Sequence, residues 1–243
     1  MNRAMAWQAL IADEMIQTAD IGIAETQALC DPLGALYLPE SRTLVLSDLH
    51  LEKGAAFARR GMMLPPYDTA QTLKLMTAVI ERYRPACVIC LGDSFHDRKG
   101  AAALPLPQQQ QLSGLMAGRD WFWIAGNHDP DHPEGLGGDC VQELYLDGLC
   151  FRHEPAEIAG DAVGEVAGHL HPAARVVRRG KGVRRPCFAC DGLRLIMPSF
   201  GVTTGGLNLR NRAFDGLFDL RCLTAHLLGR DRIYSVAFDR LIG

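Results

Sequence analysis

Metal-binding side chains recur in five short segments of the sequence. The segments are Asp48-Leu49-His50, Gly92-Asp93, Gly126-Asn127-His128-Asp129, His153 and Gly168-His169-Leu170-His171. A single Asp-x-His is common by chance, but the full ordered set is not. Carboxylate, imidazole and amide oxygen together suit Mn²⁺, Fe or Zn²⁺, whereas structural zinc sites favour thiolates and Mg²⁺ or Ca²⁺ sites favour oxygens alone. The five segments therefore predict a centre for two divalent metal ions.

A pair of such ions favours one class of reaction, the hydrolysis of phosphate esters. Two ions about 3.5–4 Å apart lower the pKa of a shared water, orient it for in-line attack on phosphorus and neutralise the charge on the phosphoryl oxygens. Asp93 is the expected bridging carboxylate. His128, next to Asn127, is the expected general acid that protonates the leaving oxygen.

The elements that carry these residues can be predicted from apolar runs. Runs of strand length end just before three of the segments: residues 43–46 before Asp48, 86–91 before Asp93, and 121–125 before Asn127. Residues 36–38 and 43–46 predict two strands around a turn. Apolar residues at helical spacing between Asp68 and Tyr83 predict a core-facing helix, with Asp68 as its cap.

The second half of the chain has a different pattern. Short apolar runs separated by Gly and Asp predict β-rich structure; they cover residues 141–146, 149–152, 163–167 and 193–197. Both halves place ligands at strand ends, which favours an α/β fold of two packed sheets flanked by helices over one doubly wound sheet. We expect an N-terminal extension over residues 1–27 and one domain over residues 28–243.

Composition limits the function classes. A formal net charge of −3 excludes a globally basic nucleic-acid coat, so contact with a polyanion requires a local patch or metals. No apolar stretch of membrane-spanning length and no signal-peptide pattern occur, so we expect a cytoplasmic protein without membrane contact. The eight cysteines are expected to be reduced thiols, and Cys187 and Cys190 lack the second ligand pair of a zinc knuckle.

The ligand segments resemble the calcineurin-like metallophosphoesterase pattern over about residues 43–172. The resemblance implies a four-layer α/β/β/α sandwich of two mixed β-sheets flanked by helices. It also implies two ligand sets that share Asp93. The first set is Asp48, His50, Asp93 and His171, and the second is Asp93, Asn127, His153 and His169.

Three further stretches, Ser47 to Phe57, Leu91 to Asp97 and Pro198 to Asn208, resemble the bacterial DNA ligase-associated (PdeM-like) metallophosphoesterases. This extends the resemblance to about residues 28–210. It implies a phosphodiesterase and DNA endonuclease that depends on Mn²⁺, while the ligand chemistry also leaves Fe and Zn²⁺ open. It also implies a link to DNA repair, association with an ATP-dependent DNA ligase and a helicase, and DNA as substrate. Our own expectation is a preference for single strands or flexible ends.

One position departs from the superfamily pattern. Many members have Asp three residues after the bridging Asp, where it orients the general-acid His, but here that position is His96. Asp97 is the nearest substitute, although it can equally be a loop cap. His96 is expected to support the metal ligands or contact substrate. The catalytic candidates are thus His128, Asp97 and His96.

A basic run begins four residues after His171 and is a candidate for holding a nucleic-acid backbone. It consists of Arg175, Arg178, Arg179, Lys181, Arg184 and Arg185. A solvated hairpin is an equally good interpretation, and without interleaved aromatic residues the run does not predict base stacking. His132, His226 within a C-terminal helix, and the turn at Gly205-Gly206 are expected to have ordinary structural roles.

Two other functions remain open. One is a small-molecule phosphoesterase acting on a phosphomonoester, a cyclic nucleotide or a nucleotide-sugar pyrophosphate. The other is a non-catalytic scaffold of the same fold. Degenerate scaffolds lose ligands or the general-acid His, whereas the complete set is present here.

Overall fold

The computed structural model describes residues 16–59, 61–62, 67–97, 99–131, 133, 135–158, 162–178 and 180–243. Its first sheet has seven strands in chain order. They are β1 (Ala19–Ile23), β2 (Thr26–Cys30), β3 (Leu36–Leu38), β4 (Thr43–Leu46), β5 (Cys87–Leu91), β6 (Asp120–Ile124) and β7 (Asp139–Val141). Strands β1 to β4 pair antiparallel, and β4 to β7 pair parallel. The carboxyl ends of β4, β5 and β6 therefore meet at one edge.

The second sheet has nine strands, so the predicted β-rich second half is confirmed. They are β8 (Glu143–Leu146), β9 (Leu149–Arg152), β10 (Gly164–Ala167), β11 (Pro172–Arg178), β12 (Lys181–Cys190), β13 (Arg194–Ile196), β14 (Leu207–Asn208), β15 (Thr224–Leu228) and β16 (Ile233–Ala237). Its order is β14-β11-β12-β13-β10-β9-β8, while β15 pairs with β12 and β16. Strands β9 and β10 are parallel, so their ligand-bearing ends also lie together.

Three helices are described: α1 (Lys53–Arg59), α2 (Asp68–Tyr83) and α3 (Leu106–Met116). The predicted helix after Asp68 is confirmed, but Asp68 is its first residue rather than its cap. The cap position is Tyr67, and the Asp68 carboxylate accepts a hydrogen bond from the Gly54 amide (2.9 Å) and so ties α2 to α1. Among the described helices, none is long and apolar enough to cross a membrane.

Three hydrophobic clusters separate four layers, which confirms the predicted fold class. The first lies between the helices and the first sheet and includes Leu44, Met76 and Trp123. The second lies between the sheets, where Val45 and Phe188 are fully buried. Neighbouring residues of β4 thus face opposite layers, as the period of two in a strand requires. The third cluster covers the outside of the second sheet with residues from 209–223, where the regular element is a short 3₁₀ helix at Arg212–Phe214.

Three boundaries differ from expectation. The first sheet begins at Ala19, inside the expected extension, because Ile21 and Ile23 alternate with exposed residues and bury their side chains; residues 1–15 lie outside the described residues. The apolar run 141–146 is not one strand, since β7 ends at Val141 in one sheet and β8 begins at Glu143 in the other. His226 lies in β15, not in a helix.

Candidate metal centre

The loops that follow the ligand-bearing strands turn sharply. Asp48, His50, Asp93, His169 and His171 all have positive φ values, between 44° and 65°. Such values are uncommon for residues other than glycine, and they concentrate at functional sites where surrounding structure maintains them. The turns keep the ligand side chains at the shared edge of the two sheets.

The structure brings six predicted metal ligands into two groups. Asp48, His50 and His171 form one, and Asp93, His153 and His169 form the other; within each group the ligand atoms lie within 4.8 Å of one another. Each group combines one carboxylate with two imidazoles. The shortest ligand-to-ligand approach in the first group is 2.8 Å, between Asp48 Oδ1 and His171 Nε2.

Asp93 belongs to the second group and also faces the first. Its Oδ2 is 3.9 Å from Nε2 of His50, and its Oδ1 is 3.5 Å from Nε2 of His153. The two carboxylate oxygens therefore face different groups, which is the arrangement expected of a bridging ligand.

Glu154 is a site residue that the sequence reasoning missed. Its carboxylate accepts a hydrogen bond from the Asn127 amide and lies 3.7 Å from Nε2 of His169. The only signal in the sequence is a carboxylate next to the ligand His153, which is too weak to assign a role. Asn127 thus lies beside the second group, held by Glu154.

The polar atoms in the centre fit divalent cations. His50 Nδ1 is buried and forms no hydrogen bond within the described part of the chain, and the buried atoms Asp48 Oδ1 and His171 Nε2, 2.8 Å apart, have no partner there besides each other. Buried polar atoms normally have a partner, and a coordinated cation would provide one. Imidazole and carboxylate ligands without thiolate suit Mn²⁺, Fe or Zn²⁺. The residues present therefore fit two divalent ions, and the structure contains two candidate metal sites.

Electrostatics favour the metal-binding forms of His50 and Asp93, whereas His153 holds a proton that a metal ion would have to displace. Burial lowers the pKa of His50 to about 4, so its imidazole is neutral at pH 7. Burial opposes ionisation of Asp93, but the hydrogen bond and charge of His153 outweigh it and hold the pKa of Asp93 well below its usual range. Burial also opposes the charged form of His153, yet Asp93 and Asp48 raise its pKa to about 9. The buried carboxylates thus attract positive charge, which a cation can supply in place of a proton.

Neighbouring groups fix the orientation of the ligands. The His153 ring lies with Nδ1 2.9 Å from the carbonyl of Leu91, which leaves Nε2 facing Asp93. A carbonyl partner on one ring nitrogen sets the tautomer that presents the other nitrogen to a metal. The His128 amide donates to Asp93 Oδ1 (2.9 Å), and the Phe95 amide donates to Asp129 Oδ2 (3.0 Å), so the two loops hold each other.

The segment after β13 supports the first ligand loop. The Ser199 hydroxyl donates to the Asp48 carbonyl (2.8 Å), and the Phe200 amide donates to the Ser47 carbonyl (2.8 Å). Gly201 packs so closely that an added Cβ would lie 2.3 Å from the Leu49 carbonyl oxygen. This segment therefore forms a wall that packs against the first ligand loop.

His128 is the exposed member of the centre. Its side chain is 47% exposed, and its Nε2 lies 3.8 Å from Asp93 Oδ2. Its Nδ1 lies 3.0 Å from the carbonyl oxygen of His96, and the His96 ring stacks on it with centroids 5.4 Å apart. Because a carbonyl can only accept, Nδ1 carries a hydrogen and Nε2 is left for substrate.

The Asp97 carboxylate contacts Arg59 and Lys99 and not the His128 ring that it was expected to orient. Its Oδ2 pairs with Nη2 of Arg59 at 2.7 Å, and its Oδ1 accepts from the Lys99 amide at 3.1 Å. The group beside Nδ1 of His128 is therefore the backbone carbonyl of His96 rather than the Asp97 carboxylate. Where many relatives are expected to use a carboxylate, this chain supplies a neutral acceptor.

The basic run divides between several places. Arg184 and Arg185 line a cavity of about 130 Å³ together with His171, and Arg184 donates to the Gly206 carbonyl. Arg175 donates instead to the carbonyl of Gly243 (3.2 Å), and Lys181 is exposed near the tip of the β11–β12 hairpin. The Arg178 side chain, Arg179 and His132 lie outside the described residues. Two of the six predicted residues are thus placed beside the centre.

The sequence matches the calcineurin-like phosphoesterase family over residues 41–184, which is more than half of the chain. The chain belongs to this family, and it is a metal-dependent phosphoesterase. This agrees with the two candidate metal sites described above.

Solved structures give a closer comparison. The chain is similar to the nuclease MPE of Pseudomonas putida, with 25% identity, a TM-score of 0.71, and coverage of 90% of this chain and 100% of that one. A conserved uncharacterized protein of Streptococcus pneumoniae, a predicted phosphoesterase, has 17% identity and covers 80% of this chain and 94% of that one, with a TM-score of only 0.30. No curated protein matches the sequence.

Proposed function

We propose that this protein is a two-metal phosphodiesterase that cleaves DNA internally, with Mn²⁺ as its metal. The observation that carries the proposal is the placement of Asp93 facing both ligand groups, beside the exposed His128 and a cavity lined by Arg184 and Arg185. The similarity to a P. putida protein named as a nuclease supports it.

The metals, when bound, supply an activated water and stabilise charge on the phosphoryl oxygens. Asp48, His50 and His171 hold one ion, His153, His169 and Asn127 hold the other, and Asp93 faces both groups. As the imidazolium, with a hydrogen on both ring nitrogens, His128 donates the Nε2 proton to the leaving oxygen, while the His96 carbonyl keeps the Nδ1 hydrogen in place. Arg184 and Arg185 hold a phosphate next to the one that reacts.

The test compares three substrates in Mn²⁺: an activated phosphodiester, the matching monoester, and circular single-stranded DNA. Asp93→Ala removes the shared carboxylate, and Asp139→Ala, at an exposed aspartate on β7, is the matched control. We expect wild type and Asp139→Ala to cleave the diester and the circle, and Asp93→Ala to cleave neither. Because a circle has no ends, its cleavage establishes internal attack.

Two other results of this experiment would support the two alternative functions. Activity on the monoester alone would replace the proposal with a small-molecule phosphatase. Inactivity with every substrate and with Mn²⁺, Fe and Zn²⁺ would indicate a non-catalytic scaffold.

The biological setting is a second proposal. The resemblance to ligase-associated phosphoesterases supports a cytoplasmic role in DNA repair beside an ATP-dependent DNA ligase and a helicase. Its test is reconstitution with those two purified enzymes from the same organism on nicked and gapped DNA. Repair that does not change when wild type is replaced by Asp93→Ala would contradict this role without contradicting the proposed nuclease activity.

A further inference from the structure

A groove of about 520 Å³ lies between the β11–β12 hairpin and the β15–β16 hairpin. Its walls are apolar, with contributions from Val176, Val183, Leu227 and Val236. Val183 is 38% exposed, so this apolar surface is open to solvent in the described structure. The metal centre does not use any of these residues.

The groove has a lining residue in common with the cavity at the metal centre. Arg185 lines the groove and also lines the cavity that contains the metal ligand His171. Its neighbour Arg184 lines that cavity as well. The cavity and the groove therefore share the lining residue Arg185.

Tyr234 provides an aromatic surface within the groove. Its side chain is 49% exposed, and its ring lies against the backbone at Gly229, where an added Cβ would be 2.6 Å from Cε2. One side of the ring is thus supported by the protein. A half-exposed, supported aromatic ring is the kind of group on which a nucleobase stacks.

The charges in the groove favour an anionic occupant. Arg185, Arg230 and Arg240 line it, and the described lining residues include no carboxylate. The nearby Asp231 pairs with Arg232, its Oδ1 lying 3.6 Å from Nε, and neither residue lines the groove. Cationic groups over apolar walls with one aromatic ring match an occupant that alternates phosphates and bases. The volume accommodates individual bases rather than a duplex.

We propose that this groove binds the single-stranded DNA that extends from the scissile phosphate, with one base stacked on Tyr234 and phosphates held by Arg185, Arg230 and Arg240. The proposal rests on the proposed nuclease function and adds to it a path for the strand. It explains how a chain with a net negative charge binds a polyanion: the positive charge is concentrated along one route. Substrates long enough to reach the groove bind more tightly than short ones.

The experiment measures kcat and KM for oligothymidylates of increasing length and for the small activated diester. Tyr234→Ala and the double variant Arg230→Ala/Arg240→Ala remove the stacking surface and the charges. Tyr234→Phe keeps the ring, and Arg221→Ala removes an exposed arginine that pairs with Asp219 outside the groove. We expect Tyr234→Ala to raise KM for the long oligonucleotide about tenfold, with kcat nearly unchanged and diester kinetics unaffected.

The salt dependence gives a second readout. Each lost phosphate contact lowers the slope of log affinity against log salt by about 0.7 for single strands. The double arginine variant is expected to reduce this slope, whereas Tyr234→Phe and Arg221→Ala leave it unchanged. A merely structural role for the arginines would not produce a change in slope.

Binding of fluorescein-labelled oligothymidylate, measured by anisotropy, separates the two proposals. If the oligonucleotide binds in a manner that depends on Tyr234 but is not cleaved, the nuclease proposal is refuted and the groove proposal is supported. Cleavage and binding that do not depend on Tyr234 and the arginines would refute the groove proposal and leave the nuclease proposal standing. Equal loss of activity on DNA and on the small diester, or displacement of DNA by an oligoglutamate peptide at comparable concentration, would also overturn the groove proposal, the latter in favour of an acidic protein partner.

Discussion

His128 is the single residue whose removal separates acid catalysis from metal binding. Its backbone amide holds Asp93, but its side chain is half exposed and contacts the His96 carbonyl. His128→Ala therefore keeps the ligand arrangement and removes the proton donor. We expect unchanged metal content, a loss of about 10²–10⁴-fold in kcat on DNA, and a much smaller loss on an activated ester whose leaving group needs no proton. Equal losses on both substrates would exclude His128 as the general acid.

Glu154 leads to a prediction about metal affinity. Its carboxylate holds the Asn127 amide and lies near His169, so Glu154→Gln weakens the support of the second group. Partners of metal ligands typically contribute about 10–100-fold to affinity. We expect a loss in that range for one of two Mn²⁺ ions, measured by calorimetric titration. Glu157→Gln, at a nearby exposed glutamate, is the control, and a matching loss there would show that only the overall charge matters.

At the residue scale, the metal ligands could be predicted because their residue types and their positions at strand ends are visible in the sequence. The orientation of His128 was not visible, because a backbone carbonyl has no sequence signature. Glu154 was missed for a related reason. Its partner Asn127 is distant in sequence, and only the folded chain places them in contact.

At the element scale, the segment after β13 provides a test of how the first ligand loop is positioned. In Gly201→Ala the new Cβ would meet the Leu49 carbonyl at 2.3 Å and the Asp48 carbonyl at 3.0 Å, so the two segments must separate. We expect weaker binding of one Mn²⁺, at least tenfold lower activity and a lower melting temperature. Gly205→Ala, where an added Cβ has no neighbour within 4 Å, is the matched control. Normal activity in Gly201→Ala would show that this wall does not position Asp48.

Some strands could be predicted from the sequence and others could not, for reasons that depend on their burial. Strands β4, β5 and β6 are buried on both faces, so each is a continuous apolar run that is visible in the sequence. β1 is an edge strand that mixes polar and apolar residues, and it was assigned to an extension. The run at 141–146 crosses from one sheet to the other, which periodicity does not reveal. His226 was assigned to a helix because a short apolar run fits either element.

In the whole molecule, the four layers arise because apolar sheet faces are buried at three interfaces, one for each hydrophobic cluster. Alternating residues of the first sheet face the helices and the second sheet, as Leu44 and Val45 do. The sequence predicts the two sheets, but the outer cover of the second sheet comes from irregular chain around Phe214 and Phe218. Such a cover has no periodicity from which it could be predicted. The metal centre at the shared sheet edge depends on this packing, so fold stability and metal binding are coupled.

His226 makes the stability of the whole molecule depend on pH. Burial lowers its pKa to about 4, and its Nδ1 lies 2.8 Å from the Ser235 hydroxyl. The unfolded chain has a histidine pKa near 6.5, so between about pH 6.5 and pH 4 the unfolded state binds more protons than the folded state. Stability is therefore fully present above pH 6.5 and falls as the pH drops, by about 3 kcal/mol in all.

The measurement is urea unfolding in EDTA from pH 4 to pH 7.5, with chelation removing the separate pH dependence of metal binding. His226→Gln has no proton to gain, so we expect a shallower decline of its unfolding free energy across this range. Ser235→Ala keeps the buried imidazole and is expected to lower stability at pH 7 while retaining the slope. If wild type and His226→Gln decline in parallel, His226 is already protonated in the folded state or solvated in place, and the acid sensitivity of the fold must arise from its carboxylates.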